Sequence, residues 1–152
     1  GLFCELTTHP EIRYAVASVD ERMIDQINIL QATHRAMNLA IQQLNPMPQH
    51  ALVDGLRVKT LCCPQTAIVD GDCLSYSIAA ASIIAKVTGD RMMLEYHQLY
   101  PVYGFNEHKG YGTPAHVAAI RQYGPCPIHR RSFSPVRPVQ TEFFGDESMA
   151  KD

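Results

Sequence analysis

Residues 66–85 read TAIVDGDCLSYSIAAASIIA and contain the change of pattern that decides the fold. The first four residues are β-branched or apolar and predict a short buried strand that ends at an Asp-Gly-Asp turn. A helical pattern follows from about residue 75 to residue 100, and residues 77–85 are so uniformly small and apolar that burial on all sides is expected. A strand that leads into a buried helix is typical of an α/β domain.

Further strands are predicted on the N-terminal side of this stretch. Ala51–Asp54 (ALVD) predicts a second short buried strand, and residues 13–19 (RYAVASV) predict a third. Asp20 and Asn28 are suitable helix caps, and apolar residues recur at intervals of three and four over residues 29–44, as a helix with one buried face requires.

On the C-terminal side, Thr113 and Pro114 predict the start of a helix that ends at Tyr123. Gly89 is expected to weaken the preceding long helix and to mark a break in it. The sequence therefore predicts an α/β domain with a mixed sheet, flanking helices and a C-terminal part that is helical and then extended.

Composition limits the classes of function. A net charge of −2 over 152 residues argues against a strongly basic nucleic-acid coat but allows a local basic face. No apolar run is long enough to span a membrane, and no signal peptide is recognisable. The five cysteines form no CxxC pair, so a cytoplasmic protein without disulfides is expected. The motifs GxSxG, GxxxxGK[ST] and GxGxxG are absent, so a serine hydrolase, a P-loop protein and a Rossmann domain lack support.

Two aspartates are the main candidates for chemistry. Asp54 and Asp72 each lie at or just after the end of a predicted strand, where α/β folds place reactive groups. Two carboxylates that meet there repel each other unless a cation or a proton intervenes, and a hard cation such as Mg²⁺ or Mn²⁺ is the natural partner. The alternative is structural, because Asp-Gly is a common turn dipeptide and occurs at both 54–55 and 70–71.

A loop rich in glycine offers a candidate binding surface. In HKGYGT (residues 108–113) the glycines beside Tyr111 leave its ring free to stack on a base or sugar, and Lys109 is placed to meet a phosphate. The alternative is an ordinary glycine-rich turn with a half-buried tyrosine.

The segment CPIHRR (residues 126–131) extends this candidate surface. Lys109, Arg121, Arg130, Arg131 and Arg137 lie in a stretch whose one acid is Glu107, which suits phosphate contact or, equally, a solvated basic edge. A zinc site at Cys126 and His129 lacks a second Cys/His pair at suitable spacing.

Five blocks of this sequence, in order, resemble motifs of the ribonuclease HII family. They are NILQAT (28–33), LVDG (52–55), DCLSYSIAAASIIAKVTGD (72–90), GFNEHKGYGT (104–113) and GPCPIHRRSFSPV (124–136), and the similarity runs from about Tyr14 to Val136. The resemblance implies an RNase H-like fold over residues 1–138, as a partial domain without its N-terminal strands. The polar, acidic composition of the chain's end predicts a disordered tail over residues 139–152.

The resemblance also implies an activity. It is the hydrolysis of RNA in RNA–DNA hybrids and of the phosphodiester on the 5′ side of a ribonucleotide in duplex DNA, which leaves 3′-hydroxyl and 5′-phosphate ends. Asp54 and Asp72 would be catalytic and would ligate two divalent ions, Mg²⁺ or Mn²⁺, in a protein that acts as a monomer. Tyr111 would stack near the sugar, and Lys109 and Arg130 would contact backbone phosphates.

The sequence departs from the family pattern in three places. The family's other two carboxylates lie in an N-terminal DEAGRG motif that residues 1–152 do not contain, and because the chain begins with Gly1, upstream sequence is expected to be missing. Asp70 stands where the family often has lysine, and Gly89 stands where it usually has arginine. These departures leave an alternative open, namely a catalytically inactive nucleic-acid-binding fragment or degenerate paralogue.

Overall fold

A computed structural model describes residues 1–132 and residue 136 of the chain. A 3₁₀ turn, Pro101–Tyr103, lies between the fourth and fifth α-helices. The elements in chain order are α1 (Leu2–Thr8), α2 (Glu21–Gln43), β1 (Ala51–Asp54), β2 (Gln65–Ile68), α3 (Gly71–Leu74), α4 (Tyr76–Leu99), α5 (Phe105–His108) and α6 (Pro114–Tyr123). The predicted domain end at residue 138 and the predicted disordered tail lie outside the described residues.

The two strands form a parallel pair in which Asp54 is aligned with Ile68, so both strands end at the same edge. The prediction of two strands is confirmed, but the prediction that they are buried is wrong for most positions: Val53 is buried, whereas Leu52 is 45% exposed. The reason is that the described part of the chain covers the sheet incompletely.

The prediction of a third strand over residues 13–19 is wrong, because the structure has no strand there. Alternate residues of the segment are partly buried, yet no strand within residues 1–132 pairs with it. Because a strand needs a hydrogen-bonded neighbour, the β-branched and aromatic composition of the segment was insufficient on its own. The described sheet is accordingly parallel rather than mixed.

Both predicted caps in α2 are present. The Asp20 carboxylate accepts a hydrogen bond from the Met23 N–H at 2.9 Å, and the Asn28 side chain accepts one from the Gln31 N–H at 3.0 Å. Asn28 has a φ of 70°, so it separates two helical segments. The predicted buried face begins too early, since Ile29 is 54% exposed.

Helix α4 begins at the Ser75 cap, whose hydroxyl accepts a hydrogen bond from the Ile78 N–H. Burial on all sides was predicted for residues 77–85, and this is wrong: Ile78 and Ile84 are buried, whereas Ser77 and Ala81 are exposed. The helix also continues through Gly89 without the predicted break. A helix of this length has enough flanking hydrogen bonds to absorb one glycine.

The hydrophobic core lies between the C-terminal half of α4 and the segments that follow it. Its buried residues are Tyr103, Phe105, Ala119 and Ile120, against which Met93 and Tyr96 of α4 pack. Helix α6 starts as predicted, with the Thr113 hydroxyl accepting a hydrogen bond from the His116 N–H. None of the helices in the described residues is both long and apolar enough to cross a membrane.

Candidate active site

The two candidate catalytic aspartates lie at the end of the parallel strand pair. Asp54 is the last residue of β1, and Asp72 is the second residue of α3. A carboxylate oxygen of Asp54 accepts a hydrogen bond from the Gly71 N–H at 2.9 Å, and the Gly55 N–H donates to the Ile68 carbonyl at 2.9 Å. These two bonds hold the strand end against the first turn of α3, and both aspartates face solvent.

Gly71 permits this close approach. A Cβ atom at this position would lie 2.6 Å from Cδ1 of Ile78 and 3.4 Å from an Asp54 carboxylate oxygen. A side chain at position 71 would therefore displace the end of the Ile78 side chain, whereas its distance from the Asp54 carboxylate is close to an ordinary van der Waals contact. The glycine leaves room for Ile78 beside the strand end that carries Asp54.

The donor atoms at this edge fit a hard divalent cation. Mg²⁺ is usually held by one or two carboxylates together with waters and substrate phosphates, and Asp54 and Asp72 are exposed carboxylates of this kind. Within the part of the chain that the structure describes, no group of three or more His, Cys, Asp or Glu side chains is arranged to hold a metal ion. The residues present therefore match the metal in donor type but supply only two carboxylates.

A second region of interest is a cleft of about 480 Å³ beside the C-terminal half of α4. Lys109 and Arg130 both line this cleft, in agreement with their predicted grouping, but Asp20 and Glu21 line it too. Arg121 instead borders a separate depression beside Gly112, and Arg137 is outside the described residues. The predicted basic patch is thus only partly assembled, and its cleft carries both signs of charge.

Tyr111 projects from the loop that leads to this cleft. It is 75% exposed, which leaves its ring available for stacking. The backbone of the loop is tightly turned, because Lys109 has a φ of 52° and Gly110 a φ of 87°. A non-glycine residue in this left-handed region costs about 1–2 kcal/mol, so the surrounding contacts must hold Lys109 there.

Three buried histidines lie on the inner side of this loop, and the sequence had pointed to His129 only as a possible zinc ligand and had given no role to His108 or His116. His108, His116 and His129 are 9%, 3% and 8% exposed. The rings of His108 and His116 stack with centroids 4.0 Å apart, and the Nε2 atoms of His116 and His129 are 3.0 Å apart. A signal was present in the sequence, since His116 precedes the buried residues Ala119 and Ile120 by three and four positions.

Burial also sets the protonation of these rings. Desolvation lowers the pKa of His116, and desolvation together with the neighbouring His116 lowers the pKa of His129 to about 4. Both rings are therefore neutral near pH 7.

Helix α4 connects the two regions. Gly71 lies beside Ile78 near the start of the helix, since a Cβ atom on Gly71 would be 2.6 Å from Cδ1 of Ile78. Gly110 lies beside Met93, fifteen residues further on, since a Cβ atom on Gly110 would be 3.4 Å from Sδ of Met93. At about 1.5 Å per residue, these two contact points are about 22 Å apart along the helix axis.

The model of the Ribonuclease HII family matches residues 2–136, which is most of the chain. The chain belongs to the ribonuclease HII family. "Ribonuclease HII" of Burkholderia pseudomallei strain 668 is 53% identical over 136 residues, which cover 90% of this chain and 63% of the relative. "Ribonuclease HII" of Paraburkholderia xenovorans strain LB400 is 54% identical over 126 residues, which cover 83% of this chain and 51% of the relative. This ribonuclease HII chain therefore spans less than two thirds of the length of these relatives.

A solved structure supports the same assignment. The crystal structure of ribonuclease H2 from Pyrococcus horikoshii OT3 superimposes with a TM-score of 0.62 at 26% identity, covering 78% of this chain and 64% of that one. The expected family and the expected RNase H-like α/β fold are confirmed. The roles of Asp54, Asp72, Tyr111, Lys109 and Arg130 in this ribonuclease HII chain remain predictions.

Proposed function

We propose that this chain supplies part of the active site and of the substrate-binding surface of an endonuclease that hydrolyses RNA in RNA–DNA hybrids and ribonucleotides embedded in duplex DNA. The bond cleaved is the phosphodiester on the 5′ side of the ribonucleotide, and the products carry 3′-hydroxyl and 5′-phosphate ends. Asp54 and Asp72 are the catalytic, metal-ligating residues, and Tyr111, Lys109 and Arg130 contact the nucleic acid.

The observation that carries this proposal is the hydrogen bond from the Gly71 N–H to the Asp54 carboxylate. It ties the end of β1 to the turn that carries Asp72, so two solvent-facing carboxylates share one edge of the sheet. That arrangement has no structural need for Asp72, whose side chain is exposed. An open pair of carboxylates is suited to holding divalent ions beside a phosphate.

Divalent Mg²⁺ or Mn²⁺ would supply an activated water and charge stabilisation of the leaving oxygen. The chain's own contribution is to hold the carboxylates in place: Asp54 through the Gly71 N–H and Asp72 through the close packing of α3 on α4. Complete activity is proposed to need two further carboxylates of the DEAGRG motif, which residues 1–152 do not contain.

The binding surface is proposed to reach along α4. The contact points at Ile78 and Met93 are about 22 Å apart, which corresponds to about six or seven base pairs at roughly 3.4 Å per pair. A duplex of that length would meet the carboxylates at one end and Lys109 or Arg130 at the other. Hybrids shorter than this are expected to bind more weakly than longer ones.

All five cysteines are free thiols, which supports action in a reducing compartment such as the cytoplasm. We further propose that the protein acts as a monomer. Analytical ultracentrifugation of the chain with and without a hybrid duplex tests that proposal.

The decisive experiment is cleavage of a DNA duplex that carries one ribonucleotide, in Mg²⁺ and separately in Mn²⁺, by the chain with and without a family DEAGRG segment joined to its N-terminus. We expect cleavage only with the added segment and its loss in Asp54→Asn and in Asp72→Asn. Asp70→Asn is the matched control, because it removes a neighbouring carboxylate that is not a proposed ligand. Calorimetric titration with Mn²⁺ gives a second readout of the same ligands.

A second candidate function is a nucleic-acid-binding chain without nuclease activity. It is favoured by the negative charge of Asp70, which is exposed two residues from Asp72, and by Gly89 in place of an arginine. Duplex binding without cleavage in both forms of the chain would establish this candidate and overturn the first.

A further inference from the structure

Three buried histidines connect the two loops that the proposed function assigns to nucleic-acid binding. We define them as the histidine array: His108 at the end of α5, His116 in α6 and His129 in the turn before Arg130. Each hydrogen-bonds to the backbone near a proposed contact residue.

Backbone partners fix the proton on each ring. His108 accepts from the Gly110 N–H at its Nδ1 atom, so its Nε2–H donates to the Tyr103 carbonyl. A backbone amide can only donate and a carbonyl can only accept, so these assignments leave no choice. His108 is thereby the neutral Nε2–H form.

The same logic determines the other two rings. His129 accepts from the Cys126 N–H at Nδ1, at 2.9 Å, so its Nε2 carries a proton. His116 donates from Nδ1 to the Tyr111 carbonyl at 2.8 Å, so its Nε2 is an acceptor. The 3.0 Å contact between the two Nε2 atoms is then a hydrogen bond from His129 to His116.

The histidine array therefore links the loop that carries Tyr111 to the turn before Arg130 through consecutive contacts. Gly110 and Tyr111 are held through their backbone N–H and carbonyl by His108 and His116. The turn before Arg130 is closed twice, because the His129 N–H donates to the Cys126 carbonyl and the His129 ring accepts from the Cys126 N–H. The ring of His108 stacks on the ring of His116, and this contact links His108 to the hydrogen-bonded pair of His116 and His129.

Ordinary core packing does not explain this arrangement. An apolar residue would fill the same space without fixing the left-handed backbone at Lys109 and Gly110. Residues held in such conformations at functional loops need surrounding groups that over-determine them. The array provides those groups on the inner side of the loop, while the Tyr111 ring points outward and is 75% exposed.

We propose that His108, His116 and His129 are positioning residues, which set the backbone around Tyr111 relative to the turn that carries Arg130 and so determine how the two loops meet a ribonucleotide-containing duplex. This proposal rests on the proposed function. The three rings are almost fully buried, although His116 and His129 border the cleft that Lys109 and Arg130 line, and their hydrogen bonds reach the backbone of the contact residues.

The array itself can be tested without any substrate. Two-bond ¹H–¹⁵N correlation spectra of the labelled chain distinguish the two neutral forms of histidine and the charged form. At pH 7.5 we expect His116 as the Nδ1–H form and both His108 and His129 as the Nε2–H form. A charged ring, or the opposite form at His116, would overturn the array.

The positioning role needs a binding experiment with two matched substitutions at His116. His116→Gln retains an acceptor towards His129 but loses the donor to the Tyr111 carbonyl. His116→Asn retains a donor towards that carbonyl but loses the acceptor for His129. The probe is a labelled DNA duplex with one ribonucleotide, compared with the same duplex made entirely of DNA, by fluorescence anisotropy.

We expect His116→Gln to reduce the preference for the ribonucleotide by about as much as Tyr111→Ala, which removes a stacking contact worth on the order of five- to a hundredfold. The double variant is expected to lose no more than Tyr111→Ala alone. His116→Asn is expected to weaken binding of both duplexes to the same extent and to keep the preference.

The possible results distinguish failure of the positioning role from failure of the proposed function. If the wild-type chain prefers the ribonucleotide and His116→Gln does too, the positioning role is wrong while the proposed function stands. Losses that multiply in the double variant would show that His116 acts independently of Tyr111, which also overturns the role. If the wild-type chain shows no preference, the proposed function and the role that rests on it both fail, whatever the spectra show of the array.

Discussion

Acidification is expected to destabilise this protein well before its carboxylates are protonated. The perturbation is a change from pH 7 to pH 4, and the responsible group is His129, which is 8% exposed. Its ring accepts a hydrogen bond from the Cys126 N–H and donates one to His116. Protonation of the His129 Nδ1 atom would place its N–H opposite the Cys126 N–H, so two hydrogen-bond donors would face each other without an acceptor.

The direction of the pH effect on stability follows from the direction in which folding shifts the pKa of His129. Burial lowers the pKa of His129 from 6.5 to about 4 in the folded state. Between these values the unfolded chain binds a proton that the folded chain does not, so the free energy of unfolding falls as the pH falls. The contribution is fully present above pH 6.5 and is lost progressively down to the folded pKa of about 4.

The size of the loss in unfolding free energy follows from the difference between the pKa of His129 in the unfolded and in the folded chain. At about 1.36 kcal/mol per pKa unit, the shift corresponds to roughly 3 kcal/mol of unfolding free energy between pH 7 and pH 4. Burial also lowers the pKa of His116, which acts in the same direction. The pKa of Asp25 is lowered by hydrogen bonds from Ser132, so its contribution is lost only below the usual carboxyl range.

The assay is urea denaturation followed by circular dichroism at several pH values between 7.5 and 4.5. This interval includes most of the histidine titration and lies mainly above that of the carboxylates. His129→Asn is the matched control, because the asparagine oxygen can accept from the Cys126 N–H but does not titrate. We expect the pH dependence to be much smaller in this variant.

Two results would refute the reasoning. An unfolding free energy that is constant from pH 7.5 to pH 4.5 would mean that His129 titrates normally in the folded state. An equal pH dependence in the wild type and in His129→Asn would assign the effect to other groups.

Three further changes have defined outcomes. Gly89→Ala should raise the unfolding free energy by about 1 kcal/mol in urea denaturation, because a Cβ there meets no atom within 4 Å and alanine is the better helix former; an unchanged or lower value would contradict this. Asp70→Lys should strengthen duplex binding more than Asp70→Asn and should make the slope of log K against log salt more negative by about 0.9 if one phosphate contact is gained; equal slopes would exclude such a contact. Asp25→Asn should speed amide hydrogen exchange at Arg131 and Ser132, whose N–H groups both donate to the Asp25 carboxylate, and unchanged exchange there would show that other contacts hold this segment.

The sequence predicted local structure well where a side chain acts on its own neighbourhood. The caps at Asp20, Asn28 and Thr113 were identifiable because each side chain bonds to a backbone N–H three residues later. Both described strands were placed to within one residue for a similar reason, since their apolar runs are bounded by turn residues. Family membership followed from motifs that are contiguous in the sequence.

Predictions that depended on distant partners failed. Residues 13–19 alternate as a strand does, but pairing is a property of two segments, and the described chain offers no second one. The exposure of Ile29 likewise depends on what packs against α2 rather than on its own spacing. The histidine array was missed because its three members are far apart in the sequence and become a unit only through stacking and shared backbone partners.

Gly71 has a consequence for how this protein can diverge. A Cβ atom at position 71 would lie 2.6 Å from Cδ1 of Ile78, which is the mobile end of that side chain, so alanine there requires Ile78 to rearrange rather than the backbone to move. Asp70, directly before it, faces solvent but has a φ of 53°, a conformation that asparagine and glycine adopt more readily than most residues. Directed evolution of the metal affinity of this edge should therefore couple changes at position 71 to changes at position 78, and should favour asparagine or glycine over β-branched residues at position 70.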